Sequence, residues 1–172
     1  MRYPPLFIPP FLITCAPHKQ LILFGQAHDD YWSKTVHSAL RAVAPPDSFE
    51  QGAERLKGFG AGAGTVLFFE DEDAVAQWQK NVALYADRFP QWSQHASGAA
   101  QINVWTVLEQ AGLGASLQHY GNLTNKEVNK MYELPEGWKL QAELVFGEPL
   151  APAGNKDYMD DSKRFKVVGA SS

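Results

Sequence analysis

Cysteine is almost absent. Cys15 stands alone among 172 residues, so an intrachain disulfide is impossible and a cysteine-based metal cluster is not expected. That economy fits a reducing compartment. An excess of positive charge is missing too. Fifteen Lys and Arg against 19 Asp and Glu leave a net charge of −4, and without a basic stripe the electrostatic footprint of a nucleic-acid binder is lacking. No stretch approaches the ~20 apolar residues of a transmembrane helix. The opening run Leu6 to Ile13 has the outline of a signal peptide, but Pro4, Pro5, Pro9 and Pro10 interrupt it, and Pro17 follows the only plausible cleavage residue, Ala16. The sequon Asn122-Leu123-Thr124 would matter only in a secreted chain. What is present is ordinary globular material, 45% hydrophobic and 20% charged, in a length that fits one domain with a proper core. Small molecules or another copy of the chain are the expected partners.

Residues 1–18 differ from the rest, being proline-rich, apolar and without period, and are expected to lie outside a domain spanning residues 19–172. Gln20 to Phe24 reads as a short strand ended by Gly25. A helix from about Asp29 would place Trp32, Val36, Leu40 and Val43 on one face and stop at Pro45-Pro46. Asp47 or Ser48 can cap a further helix carrying Phe49, Ala53 and Leu56. Thr65 to Phe69 is apolar on both faces and reads as a central strand. The acidic run Glu70 to Asp73 lies where the next helix starts and reads as a cap rather than a metal site. After Pro90 the spacing predicts a long helix over 91–111. It brings together Trp92, Ala96, Ala99, Ala100, Asn103, Val107 and Ala111, and the small residues among them suit a packed central helix or a subunit interface. Gly112 ends it. Gly114 to Tyr120 reads as a strand and Asn125 to Tyr132 as a short helix. In a final strand, Trp138 to Gly147, Leu140, Ala142, Leu144 and Phe146 alternate with Gln141 and Glu143. Strands and helices mix around one sheet, an α+β or α/β layered domain.

Several motifs carry no chemistry. Gly58-Phe59-Gly60-Ala61-Gly62-Ala63 matches the dinucleotide pattern on paper, but a fingerprint must follow a strand and open a helix, and here the order is reversed. Ser116 lacks the second glycine of a nucleophile elbow. His28, His37, His95 and His119 show no metal-ligand spacing. The run Glu109 to Tyr120 is more informative. A helix end, Gly112 and Gly114, and a strand bring unpaired backbone N–H groups to an open edge, against which a flat ligand can lie because glycine permits close approach. The same run serves equally as a tight helix–strand connection. With the distant basic residues Arg164 and Lys166, a phosphate-bearing planar ligand is conceivable.

The order of the motifs adds a family. Gly64 to Asp71, Leu84 to Ser93, Gly98 to Thr106, Gly112 to Tyr120, Leu134 to Leu140 and Phe146 to Pro149 together resemble the nitroreductase-like flavoproteins of fungi and bacteria, over roughly residues 21–169. The resemblance implies an α+β fold with a central mixed or antiparallel sheet flanked by helices, and an intertwined homodimer. It implies an FMN-dependent oxidoreductase carrying electrons from NAD(P)H to nitroaromatics or quinones, with no catalytic side chain because the flavin does the chemistry, and no metal. The backbone of Gly112, Leu113, Gly114, Ala115 and Ser116 would lie near the flavin ring. Arg164 and Lys166 would hold the FMN phosphate, and Leu117, Gln118 and His119 would sit on the substrate side. Fungal members imply links to stress responses and lipid signalling, and a cytoplasmic or nuclear location.

One part of the pattern is missing. Family members begin with an arginine pair followed by Ser or Thr, then a helix, then a Ser-Phe-Asn-Ser-Gln type segment before the strand that here is Leu21 to Phe24. Tyr3 to His18 stands in its place, which reads as a mispredicted start or a truncated paralogue, with the fold N-terminally incomplete. Each lost charged hydrogen bond is worth roughly 1.5–3 kcal/mol, so two such losses lower flavin affinity roughly a hundredfold or more. Two alternatives stand beside the oxidoreductase: a flavin-free regulatory or dimerising member of the same fold, and an unrelated small-molecule-binding domain with a purely structural glycine turn.

Overall fold

Two apolar runs become the middle of one sheet. The computed structural model describes residues 17–152 and 154–169, so most of the atypical opening segment, Cys15 included, lies outside the described residues. Four strands, β1 (His18–Phe24), β2 (Gly64–Asp71), β3 (Gly114–Gln118) and β4 (Trp138–Gly147), form a sheet in the order β1-β2-β4-β3. Every pairing in it is antiparallel. Thr65 to Phe69 is central as expected, and β2 is buried along nearly its whole length. β1 starts at His18, ahead of the expected Gln20, and the carbonyl of Pro17 accepts from Asp71 N.

Helix α1 (Gly25–Asp30) continues through a π-helical turn, Tyr31–Val36, into α2 (His37–Val43). There follow α3 (Pro46–Gly60), α4 (Glu72–Asn81), α5 (Phe89–Gln110), α6 (Gly121–Met131) and a short α7 (Asp161–Arg164). Local chemistry sets these ends. The Asp71 carboxylate accepts from Ala74 N at the start of α4, so the acidic run is a helix start. Pro90 sits in the first turn of α5. At the other end Gly112 takes φ 80°, its N–H donates to Glu109 O and that of Leu113 to Leu108 O, the paired bonds of a Schellman cap. α6 begins four residues ahead of the expected Asn125, with Gly121 seated so closely on Leu140 that no side chain fits.

Helices cover both sheet faces, which is why β2 reads as continuously apolar. On one face Leu67, Phe69, Leu140 and Val145 pack with Tyr31, Trp32, Val36, Leu56 and Val128. On the other, Val66, Phe68, Ala142, Leu144 and Phe146 pack under Val104, Trp105 and Leu108 of α5. The simple alternation expected of β4 fails at one point. Between Phe68 and Phe69 the partner on β4 moves from Ala142 to Leu140, so Gln141 is an extra residue, a β-bulge. The bulge sends Leu140 to the first core, while Ala142, Leu144 and Phe146 serve the second. Glu143, in a polar alternate position by sequence, is buried on the first face with 0% exposure.

Candidate functional site

β3 is an edge strand. It pairs with β4 along one side, and its other edge carries backbone groups without a strand partner among the described residues. Space is open where α5 turns into it: a Cβ placed on Gly112 would meet nothing within 4 Å. Gly114, two residues on, lies against Pro149. Register divides the side chains that follow. Ser116 and Gln118 share a face, and Gln118 Nε2 donates to Ser116 Oγ at 2.8 Å. Ala115 and Leu117 pack on the opposite face, in the core beneath α5 with Leu113. Leu117 is therefore separated from Gln118, because successive strand residues point to opposite faces. His119 donates through Nδ1 to the bulge carbonyl of Gln141 at 3.1 Å. Arg164 and Lys166 are exposed on the tail after β4, and the contacts of Arg164 are local, an ion pair with Asp161 and a stacking contact on Phe165.

Two buried polar networks underlie this edge, both starting from the helix that contains the π turn. In the first, Thr65 is the hub. Trp32 Nε1 donates to Thr65 Oγ1 at 2.9 Å, and His28 Nδ1 lies 2.9 Å from the same oxygen. His28 Nε2 lies 3.3 Å from Gly60 O. With the Thr65 hydroxyl donating to Nδ1 and Nε2–H donating to Gly60 O, every polar atom of the set is paired.

In the second, Glu143 accepts from Tyr31 O–H at 2.9 Å, and its two oxygens share the Tyr120 N–H at 3.2 and 3.0 Å. Thr124 Oγ1 donates to Tyr120 O at 3.1 Å. Burial pushes the Glu143 carboxyl up, opposed by Tyr120 N–H, Tyr31 O–H and the nearby His119. Burial also raises the Tyr31 phenol far above its usual range, the Glu143 charge adding to it, so Tyr31 stays protonated and donates. A consequence follows for stability. A carboxyl raised in the folded state binds its proton more tightly there than in the unfolded chain, where 4.5 is ordinary. The Glu143 contribution therefore falls as pH rises from 4.5 through the raised value and is level above it. Glu143→Gln should flatten that part of a plot of urea midpoint against pH; an unchanged slope would refute the assignment.

Neither network was visible in sequence. A glutamate in an apolar strand was a faint signal for the second, and Thr65, at the head of an apolar run, gave none.

The family-model comparison matches the description "Nitroreductase family" over residues 16–148. The chain belongs to the nitroreductase family. HBN1, a nitroreductase-family relative from Saccharomyces cerevisiae, is 36% identical over 151 residues, covering 87% of this chain and 73% of its own. The nitroreductase CinD from Lactococcus lactis, solved in complex with chloramphenicol, is 48% identical with a TM-score of 0.80, over 88% of this chain and 76% of that one. Its complex with 4-nitrophenol matches at 47% identity and a TM-score of 0.80, over 88% and 77% of the two chains. The fold is thus the nitroreductase fold, in a family of oxidoreductases. The matched region includes the whole segment from Gly112 to His119 and ends before Arg164 and Lys166.

Among the described residues no helix is long and apolar enough to cross a membrane. The glycine run 58–63 closes α3 and leads into β2, the helix-then-strand order that argues against a dinucleotide fingerprint.

Proposed function

We propose that this chain is an FMN-dependent oxidoreductase that passes electrons from NAD(P)H to nitroaromatic or quinone-type acceptors, working as a homodimer. The observation that supports it best is the open turn at Gly112 leading straight into a free strand edge. A flat ring needs backbone it can approach without a side chain between, and here a Cβ-free, positive-φ residue stands in open space beside a strand edge that has no partner strand among the described residues. The residues fit the cofactor on that count. Bound FMN would supply the two-electron redox chemistry. The chain's own part is to hold and orient. The N–H groups of Gly112 and Leu113 are committed to the helix cap, so these two would offer a close backbone surface to the ring, and the outer edge of Gly114, Ala115 and Ser116 would bind its polar rim. Arg164 and Lys166 would hold its phosphate as charge-assisted donors. Gln118 and His119 offer polar groups on the acceptor side, and Leu117 would contribute through its backbone. CinD, solved with chloramphenicol and with 4-nitrophenol, supports a nitroaromatic acceptor.

For the dimer, the support is α5. Its inner side covers the sheet, yet Ile102 and Val107 are 57% and 63% exposed, an apolar surface suited to a second copy. A cytoplasmic or nuclear place and a part in stress responses belong to the same proposal. One observation favours the flavin-free alternative: Arg164 already has an acidic partner in Asp161.

The spectrum of the purified chain, taken before and after excess FMN and desalting, tests the proposal. Retained flavin absorption with NAD(P)H-dependent reduction of a quinone is expected. A colourless protein whose melting temperature ignores FMN would leave the flavin-free dimer.

A further inference from the structure

The corner where β3 leaves the sheet, from Gln118 to Tyr120, is fixed from three directions. His119 Nδ1 donates to the bulge carbonyl of Gln141. Tyr120 N–H is held by both oxygens of Glu143. Tyr120 O accepts from Thr124 Oγ1, which itself lies 3.4 Å from the Tyr31 hydroxyl. The Tyr120 ring stands edge-on to Trp32, centroids 5.8 Å apart. Glu143 is the centre of this arrangement, and as a source of stability it is a poor choice. Among the described residues its two oxygens have one amide and one phenol as donors outside its own strand, and it is fully buried without an ion pair. An apolar side chain would fill the space at lower cost, since a buried carboxylate must overcome its desolvation. What the carboxylate contributes is direction: it ties the π turn, β4 and the β3 corner to one point.

We propose that Glu143 is a positioning residue, acting through Tyr31 and the Tyr120 amide to hold Gln118 and His119 in the orientation that the electron acceptor meets. This rests on the oxidoreductase proposed above. The bulge at Gln141 belongs to the same device. It lies two residues before Glu143, and it leaves the Gln141 carbonyl available to His119. The acceptor therefore meets side chains whose backbone is tied to the sheet, not to a free loop.

The test uses the full chain with FMN and compares Glu143→Leu, Glu143→Gln and Tyr31→Phe. Amide hydrogen exchange is read over 118–121, with β2 as the control, alongside KM and kcat for para-benzoquinone. In Glu143→Leu, exchange over 118–121 should rise about tenfold over the control, the worth of roughly one hydrogen bond. KM for the quinone should rise by a similar factor, with kcat and flavin content changing little. Glu143→Gln keeps an acceptor for Tyr120 N–H and should restore most of both; Tyr31→Phe should fall between. Should Glu143→Leu fail to fold, Glu143→Gln against Tyr31→Phe decides, because only the latter loses the phenol and should alone raise KM. Exchange that rises equally in β2, or a KM that stays put while the corner loosens, overturns the proposal. A flavin-bound wild type that reduces no quinone instead sinks the oxidoreductase reading, and the exchange data then show separately whether the corner is clamped.

Discussion

Thr65→Val should lower the melting temperature by about 8–16 °C. The substitution changes shape little but removes the one oxygen that serves both Trp32 Nε1 and His28 Nδ1. Trp32 and Thr65 are wholly buried and His28 is nearly so, so no water replaces the lost partner. Each orphaned buried group costs about 1–3 kcal/mol, and a middle value of about 4 kcal/mol for the pair gives this shift at ~2–4 °C per kcal/mol for a domain of this size. The damage should spread beyond packing, because Thr65 holds the helix containing the π turn against β2, and His28 holds the end of α3 through Gly60 O. Differential scanning calorimetry measures the shift. A change under about 2 °C, corresponding to less than one unmade hydrogen bond, would show that the hub is not the paired set described. Thr65→Ser keeps the hydroxyl and should retain most of the stability.

Gly121→Ala is the second large effect. A Cβ at Gly121 would lie 2.0 Å from Leu140 O and 2.9 Å from Leu140 C. Both are backbone atoms of β4, so no flexible side chain can yield. Overpacking typically costs about 1–3 kcal/mol, and a clash between α6 and a central strand belongs at the upper end or above. A loss of about 3 kcal/mol or more is expected in urea unfolding, with the m-value unchanged. α6 must slide or its first turn unwind, which would also move the Tyr120 corner. A neutral result would mean that α6 and β4 lie further apart than described.

The contrast between these sites and the sequence is instructive. Gly121 looks ordinary in sequence, where the helix signal starts only at Asn125, because nothing local shows that Leu140 passes beneath it. The Gly112 cap was legible, since a helix ending at Gly before a strand carries its own conformational logic. The acidic run at the head of α4 was legible for the same reason: Asp71 bonds the amide three residues on. Glu143 was not. Periodicity placed it beside Gln141 in the polar half of β4, but helices pack on both faces of the sheet, so the face opposite Ala142 and Leu144 is core as well, and one inserted residue in the register carries Leu140 across to it. A bulge depends on how two strands meet, and neither strand records it alone.

The proposed acceptor side divides in the same way. Leu117, Gln118 and His119 form one continuous run in sequence, yet strand alternation sends Leu117 under α5 and Gln118 to the face of Ser116. Arg164 and Lys166 were singled out by charge, and the structure leaves Arg164 against Asp161.

By itself the sequence determined what depends on neighbours along the chain. It marked the apolar strands, the helix starts at acidic and proline residues, the glycine stop after the long helix, and an ordered set of motifs that shows the family. Tertiary structure decided the rest: the antiparallel order with β3 at the edge, the bulge at Gln141, the seat of Gly121, and the partners of Thr65 and Glu143. The physical reason is range. Caps and turns are bonds between residues three to five apart, whereas Tyr31 and Glu143 are 112 residues apart and meet only once sheet and helices have packed.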